Sequence, residues 1–369
     1  MPCDLSAELQ EVLSHYDLGR LVHQAKDERG TVNISFFVDT IQDGQPRKFF
    51  LRRYKRGVQA EELLFEHSLI NHIVRQRACP AARVHPTRDG RTFLHLHRPD
   101  EAEGAFYAVF DYLPGEDRYT WVGPRCTRPE LLGAGRLLAR FHNAVSSLEP
   151  QGKRVEPKTL ELLEVIDGLW VDGRRRPKGT DFDSYLDAHF DLVRQNIAET
   201  LDALREPKAR ALPQVIIHSD YHPGNLKFEG EEISGLVDFD WAKVDLRAFD
   251  VGLALWYFCV SWEAEVDGEL RLEDARVFLE AYQRQLLGGP GYPPLSPAEI
   301  RYLPDLISAG NIYVIYWTIR DYFNKDVDPE EYLVYLKHHV ASARWLGRRE
   351  NRDGLRAMLA SLPMLNGAR

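Results

Sequence analysis

The residues best equipped for chemistry are Asp220, Asn225 and Asp238. They stand in the runs His218-Ser219-Asp220-Tyr221-His222-Pro223-Gly224-Asn225 and Ile233-Ser234-Gly235-Leu236-Val237-Asp238-Phe239-Asp240. The Asp and the Asn lie five positions apart on a tight loop, and a strand pair then delivers the second Asp beside them. Three oxygen-bearing side chains would therefore share one small space. Phosphoryl transfer needs this set: a carboxylate facing the attacking hydroxyl, plus an amide and a carboxylate holding magnesium on the nucleotide phosphates.

Each member of the set has its own task. A carboxylate with an ordinary pKa near ~4 is far from that of an alcohol, so Asp220 would mainly align the acceptor hydroxyl and capture its proton late. Asn225 offers magnesium a neutral oxygen and Asp238 a charged one, and magnesium takes only one or two protein ligands of this hard type. Taken singly, Asp220 and Asn225 read equally well as turn residues, and Asp238 as a strand-end carboxylate; the spacing is what joins them. Asp240 would assist the metal shell or orient the loop. His218 reads as a brace for the loop, and His222 as a solvent-facing loop residue or an acceptor-site liner.

The elements that must hold these groups are legible in outline. Residues 6–16 read as a short amphipathic helix. Thr31 to Val38 alternates and is rich in β-formers, Asp43-Gly44-Gln45-Pro46 is a turn, and Lys48 to Tyr54 is the next strand. A helix is expected over 59–74, then strands near 82–88, 91–98 and 106–113, stopped by Pro114-Gly115. Beyond that the chain is mainly helical, with helices expected at 128–145, 182–204, 250–264, 271–287, 297–325 and 329–345. The segment 215–240 is the one β interruption. The expected fold class is α+β, with a β-rich part over 1–113 and a helical part over 114–369.

Composition excludes several classes. With 369 residues, 44% of them hydrophobic, the chain can fill two cores and is not disordered. A formal charge of −9 argues against a general nucleic-acid surface. Cys3, Cys79, Cys126 and Cys259 are scattered without a CxxC or Cys/His ligand spacing, so neither structural zinc nor a disulfide framework is expected, and a reducing compartment fits. The first residues lack the basic-then-apolar order of a signal peptide. The longest apolar stretch, Ile307 to Ile319, is interrupted by Ser308, Gly310 and Asn311, so no membrane span is expected.

The segment from His218 to Asn225, with Phe49-Phe50-Leu51-Arg52-Arg53-Tyr54, Phe110-Asp111-Tyr112-Leu113-Pro114-Gly115 and Leu138-Ala139-Arg140-Phe141-His142, resembles the aminoglycoside phosphotransferase and choline-kinase-like family. Within it the phrases look most like type II homoserine kinases. The resemblance runs through nearly the whole chain in element order and is specific at 215–252. It implies a protein-kinase-like bilobal fold and a cytoplasmic, ATP- and Mg2+-dependent kinase. The enzyme would phosphorylate a hydroxyl of a small molecule, with homoserine or a related amino alcohol the first substrate to try. A sugar or aminoglycoside kinase and a non-catalytic nucleotide-binding scaffold are the alternatives. No nucleic-acid or membrane partner is implied. A protein kinase is disfavoured, because no Ala-Pro-Glu segment or long activation loop follows Asp238.

The same resemblance assigns further residues. Arg52 stands where the family often has a Lys on the nucleotide phosphates, with Glu66 as its partner; Arg53 would face the other way, and Lys55 is a substitute. Gly30-Thr31-Val32-Asn33-Ile34-Ser35 would turn over the phosphates through backbone amides, Asn33 and Ser35, although it is no GxGxxG. Adenine would lie beside Phe110, Asp111, Tyr112 and Leu113. Ser219 departs from the family's usual Gly. Asp250 is read as a helix N-cap. Trp256, Tyr257, Trp317, Arg320 and Asp321 are candidate acceptor liners. Arg320 would suit a substrate carboxylate, and a pocket with paired opposite charges would favour an amino acid over an aminoglycoside.

Overall fold

A computed structural model describes residues 5–27, 32–98 and 101–363. The elements follow the order α1 (Leu5–Ser14), β1 (Arg20–Asp27), β2 (Ile34–Gln42), β3 (Gln45–Arg53), α2 (Ala60–Arg75), β4 (Leu94–Arg98) and β5 (Glu101–Asp111). The helical part continues with α3 (Arg128–Val145), α4 (Thr159–Arg174), α5 (Asp181–Leu204) and α6 (Pro207–Arg210). Next come β6 (Gln214–Ile217), β7 (Leu226–Glu229), β8 (Glu232–Leu236) and β9 (Lys243–Leu246). The chain ends in α7 (Arg247–Cys259), α8 (Leu272–Leu286), α9 (Pro297–Asn324), α10 (Pro329–Gly347) and α11 (Arg349–Ala360). Two compact units result: Met1–Glu116 with Leu148–Val155 and Ser234–Val237, and Asp117–Ser147 with Glu156–Ile233 and Asp238–Arg369.

The first unit is an antiparallel sheet in the order β1-β2-β3-β5-β4. Alternation in β2 and β3 sends Phe36, Val38, Phe49 and Leu51 to one face, where they pack with Leu9, Val12 and Leu13 of α1. Residues 82–88 were expected to form a strand. They instead run irregularly along β5, touching it through a Val84–Phe110 bridge and the bonds His85 N–H to Val109 O (2.8 Å) and Asp111 N–H to Arg83 O (2.9 Å). Pro80 just before this stretch and Pro86 within it restrict the ladder.

The second unit is built around α9. Its start is fixed by a capping box, in which Ser296 Oγ accepts from Glu299 N–H (3.2 Å) while Ser296 N–H donates to Glu299 Oε2 (2.8 Å). From Tyr302 to Ile315 every residue of α9 is buried, so this is a core helix rather than an amphipathic surface one. Glu299 also receives Arg247 through two bonds, Nε at 2.9 Å and Nη2 at 2.7 Å, both groups being buried. That bidentate pair anchors the first turn of α7 to the start of α9. Helices α4 and α11 were not anticipated: α4 carries Gly168 and Gly173, which weaken its helical signal, and α11 is short and largely polar. Among the described residues no helix is long and apolar enough to cross a membrane. Cys79, Cys126 and Cys259 are buried free thiols.

Candidate active site

Strand β6 pairs with β9 (Ile216 opposite Val244) and ends at the loop that carries His218, Ser219 and Asp220. Asp250 governs the shape of this loop. Its carboxylate is fully buried and accepts the N–H groups of Ser219 (Oδ1, 2.8 Å) and His218 (Oδ2, 3.0 Å). Expecting an N-cap was wrong: Asp250 lies in the first turn of α7, whose N-cap is Leu246, and its acceptors serve the loop instead of the helix end. A third bond comes from His142 Nε2 (3.0 Å), whose Nδ1 lies 2.7 Å from the Tyr282 hydroxyl. Since Asp250 accepts only, His142 carries its proton on Nε2 and takes the tyrosine hydrogen on Nδ1. Burial alone would raise the Asp250 carboxyl, but His142, His218 and the Ser219 amide outweigh it and hold its pKa below the ordinary value. Burial likewise keeps His142 below its usual pKa and hence neutral.

Two consecutive amides can converge on one carboxylate only if the chain turns sharply, and Ser219 adopts φ +65° to do so. For a residue with a Cβ that region costs about 1–2 kcal/mol. The Ser219 hydroxyl recovers part of this at Tyr313 Oη, 3.3 Å away. Ser219→Gly is therefore expected to leave stability within about 1 kcal/mol of wild type, because relief of strain offsets the lost bond and the added chain entropy. Ser219→Val should cost at least about 2 kcal/mol through its branched Cβ. Urea unfolding of the two variants checks both values.

Asp220 sits among three donors. Tyr257 Oη donates to Oδ1 (3.2 Å), Asn225 Nδ2 to Oδ2 (3.2 Å), and His222 Nε2 stands 3.6 Å from Oδ2. Burial pushes the carboxyl up, but His222, His218 and the Tyr257 hydroxyl pull it further down, so its pKa lies below the ordinary carboxylate range. It is thus ionised at neutral pH. Asn225 Nδ2 donates also to the Asp220 carbonyl (2.9 Å), which turns its Oδ1 away from Asp220 and leaves that oxygen for another ligand. The side chain of His222 is only 13% exposed, so it is not the solvent-facing loop residue expected. Its Nδ1 accepts the Gly224 N–H (3.0 Å), which puts the proton of the neutral ring on Nε2, toward Asp220.

Asp238 follows β8 and adopts φ +64°, a second strained residue. The next residue, Phe239, is buried and packs on the His218 ring (4.9 Å between centroids) and on Phe141 (6.2 Å). The segment bearing Asp238 is thereby seated against the root of the Asp220 loop. Among the described residues no cluster of three or more His, Cys, Asp or Glu could hold a metal. A magnesium ion needs less: the Asn225 amide oxygen and the Asp238 carboxylate are hard oxygen donors, and phosphate and water complete such a shell.

In the first unit the geometry pairs Arg52, not Arg53, with Glu66. Arg52 Nη1 is 3.4 Å from Glu66 Oε1, its side chain 13% exposed and that of the acid 2%. Glu66 is therefore no surface residue of an amphipathic helix. Tyr54 Oη supports it at 3.4 Å, and the guanidinium lies over the Phe110 ring (5.5 Å). Arg53 points the other way, to Glu8 (3.8 Å). Ser35 lies opposite Arg52 in the β2–β3 ladder and is buried. Asn33 Oδ1 accepts the Lys55 N–H (2.9 Å). Gly30 and Thr31 lie outside the described residues. The Asp111 carboxylate is held by His85 (2.6 Å) and Arg83 (3.4 Å), and its N–H donates to Arg83 O (2.9 Å).

Of the acceptor-site candidates, Trp256 is core: it is buried and donates to Ser342 Oγ (3.1 Å). His338 and His339 are buried too, His338 stacked on Trp262 at 3.4 Å. Tyr257, Trp317, Arg320 and Asp321 remain partly exposed. Sequence reading missed Tyr313, the Tyr257–Asp220 bond and the bracing role of Asp250; none has a local motif, because each acts across a long stretch of chain.

The sequence profile of the phosphotransferase enzyme family matches residues 29–295. The homoserine kinase of Parvibaculum lavamentivorans is 30% identical over 354 residues, covering 92% of this chain and 96% of that protein. That of Rhodopseudomonas palustris (strain ATCC BAA-98 / CGA009) is 29% identical, covering 95% and 94%. A solved microcompartment-associated aminopropanol kinase superposes with a TM-score of 0.66 at 17% identity, over 95% of this chain and 99% of that one. The spectinomycin phosphotransferase APH(9)-Ia, solved with ADP and spectinomycin, gives 0.62 at 14% identity, over 94% and 99%. These neighbours bear out the expected protein-kinase-like fold, and the chain belongs to the phosphotransferase enzyme family, as a kinase of small-molecule hydroxyls.

Proposed function

We propose that this kinase transfers the γ-phosphoryl group of Mg-ATP to the side-chain hydroxyl of homoserine or a closely related amino alcohol. The observation that carries this reading is the Asp220 carboxylate: ionised, held on both oxygens by Tyr257 and Asn225, and still partly open, with 21% of its side chain exposed. Asp220 accepts a hydrogen bond from the substrate hydroxyl, aims the hydroxyl oxygen's lone pair at the γ-phosphorus and takes the proton as the new P–O bond forms and the bond from that phosphorus to the departing ADP breaks. Asn225 and Asp238 would hold magnesium, which when bound neutralises charge on the triphosphate. Arg52, kept in place by Glu66, meets phosphate with its fork, assisted by the amides and side chains near Asn33 and Ser35. Adenine binds beside Phe110 to Leu113.

Homoserine is favoured by the names of the relatives and by the pairing of Arg320 with Asp321, since an acidic pocket without a cation would suit an aminoglycoside better. The test is an ADP-release screen across hydroxylated amino acids, amino alcohols, sugars and aminoglycosides. Homoserine-dependent ADP formation is expected; ADP formation only with sugars or aminoglycosides would overturn this choice of substrate. For the metal role, Asp238→Ala should bind ATP more weakly than wild type in magnesium and equally without it. Titration of a fluorescent ATP analogue reads this directly, and identical affinities under both conditions in both proteins would contradict it.

A further inference from the structure

Contacts within the second unit trace two paths away from the Asp220 loop. Tyr257, bonded to Asp220, meets Trp121 (6.5 Å between centroids), and Trp121 packs on Tyr335 of α10 (4.6 Å). Tyr335 adjoins Tyr332 (5.6 Å). The second path runs along α9. The Arg320 guanidinium lies 4.0 Å from the Trp317 ring, Trp317 packs on Tyr313 (5.7 Å), and the Tyr313 hydroxyl reaches Ser219, the neighbour of Asp220.

Positions 313, 317, 320 and 321 share one helical face, so this second path is a straight stripe. The side chains along both paths are partly exposed, apart from buried Tyr313 and Ser219. The stripe has Ser219, the neighbour of Asp220, at one end and the Arg320–Asp321 pair at the other. Seven residues of helix from Tyr313 to Arg320 span about 10 Å. A four-carbon hydroxy-amino acid reaches about 5 Å from hydroxyl to carboxylate, and a hydrogen bond at each end adds about 3 Å, a length comparable to that of the stripe.

The geometry points to Arg320 and Asp321 as the amino-acid end of the acceptor site, Arg320 binding the α-carboxylate and Asp321 the α-ammonium of a zwitterionic substrate. This rests on the reading of Asp220 as the catalytic end. Arg320 spends Nε (2.8 Å) and Nη2 (2.6 Å) on Asp321 Oδ1, which leaves Nη1 for a ligand. Asp321 Oδ2 holds Lys325 (2.6 Å), itself half exposed and displaceable. A zwitterion adds one charge of each sign, so the net charge of the Arg320–Asp321–Lys325 cluster does not change when it binds. The Trp317 face fixes the plane of the guanidinium and so the direction of its free donor.

The test compares L-homoserine with 3-amino-1-propanol, which is homoserine without its carboxylate. Arg320→Ala is expected to raise KM for homoserine roughly 30-fold or more, as loss of a charge-assisted contact does, with kcat within about 3-fold. KM for 3-amino-1-propanol and for ATP should not change. Arg320→Lys should recover part of the homoserine KM, and Asp321→Asn should raise KM for both acceptors. An unchanged homoserine KM in Arg320→Ala, or equal rises for both acceptors, would overturn the assignment and leave a merely structural pair. Wild-type turnover of 3-amino-1-propanol but not homoserine would overturn it while sparing Asp220. Absence of ADP release with every hydroxylated acceptor would bring down the Asp220 reading itself.

Discussion

Asp220→Ala is expected to turn over its acceptor at least about 100-fold more slowly than wild type while binding Mg-ATP with little change, with single-turnover phosphate transfer and nucleotide titration as the measurements that check this. The magnitude follows from removing a positioned base, which contributes about 100- to 10,000-fold. Nucleotide affinity is spared because the residues assigned to phosphate and metal, Arg52, Asn225 and Asp238, all remain. Asn225 does lose one hydrogen-bond partner, the Asp220 carboxylate, but keeps the Asp220 carbonyl at 2.9 Å, which no side-chain change removes. Unchanged turnover would remove Asp220 from the mechanism.

Asp250→Ala is expected to lose both stability and activity. The substitution strands the amides of His218 and Ser219 and the His142 ring, three buried donors without an acceptor. Each stranded donor costs about 1–3 kcal/mol, so the sum is a large part of the stability of an ordinary protein. Where the chain still folds, the Asp220 loop loses its anchor, and a misplacement of about 1 Å costs on the order of 100-fold in rate.

The pH dependence has a definite sign. The folded Asp250 carboxyl lies below its ordinary value of 3.8, so its contribution is complete above about pH 4 and fades as pH falls through the folded value. His142, held below 6.5 by burial, costs stability in a separate, higher window that opens as pH falls below 6.5. The gap between wild type and Asp250→Ala should therefore narrow as pH drops below about 4. Urea unfolding between pH 7 and pH 3 reads this; a constant gap would mean the carboxylate does not carry the loop.

The order of elements was readable because it is written in local patterns. Alternation in 34–42 and 45–53, the stop at Pro114-Gly115 and the long apolar run of α9 all act within a few residues. Asp220 and Asn225 were found for the same reason, lying close together on one loop whose turn residues fix its shape. Asp250 was misassigned because its partners, His218 and Ser219, are 31–32 residues away, while its nearest neighbours look like a helix start. The irregular 82–88 segment shows the converse, strand-like composition overruled by Pro80 before it and Pro86 within it. Ser219 was noticed only as a departure from glycine. Its φ of +65° explains why glycine would suit that position and what the serine hydroxyl gains there.

The central claim is that Asp220 directs a substrate hydroxyl at ATP. It is tested most directly by following ADP and phosphate-ester formation with homoserine in magnesium, for wild type and Asp220→Ala side by side. Stoichiometric O-phosphohomoserine and ADP from the wild type, with the variant slower by at least about 100-fold, is the predicted result. Equal rates in the two proteins, or ADP released without any phosphorylated acceptor, would contradict the account.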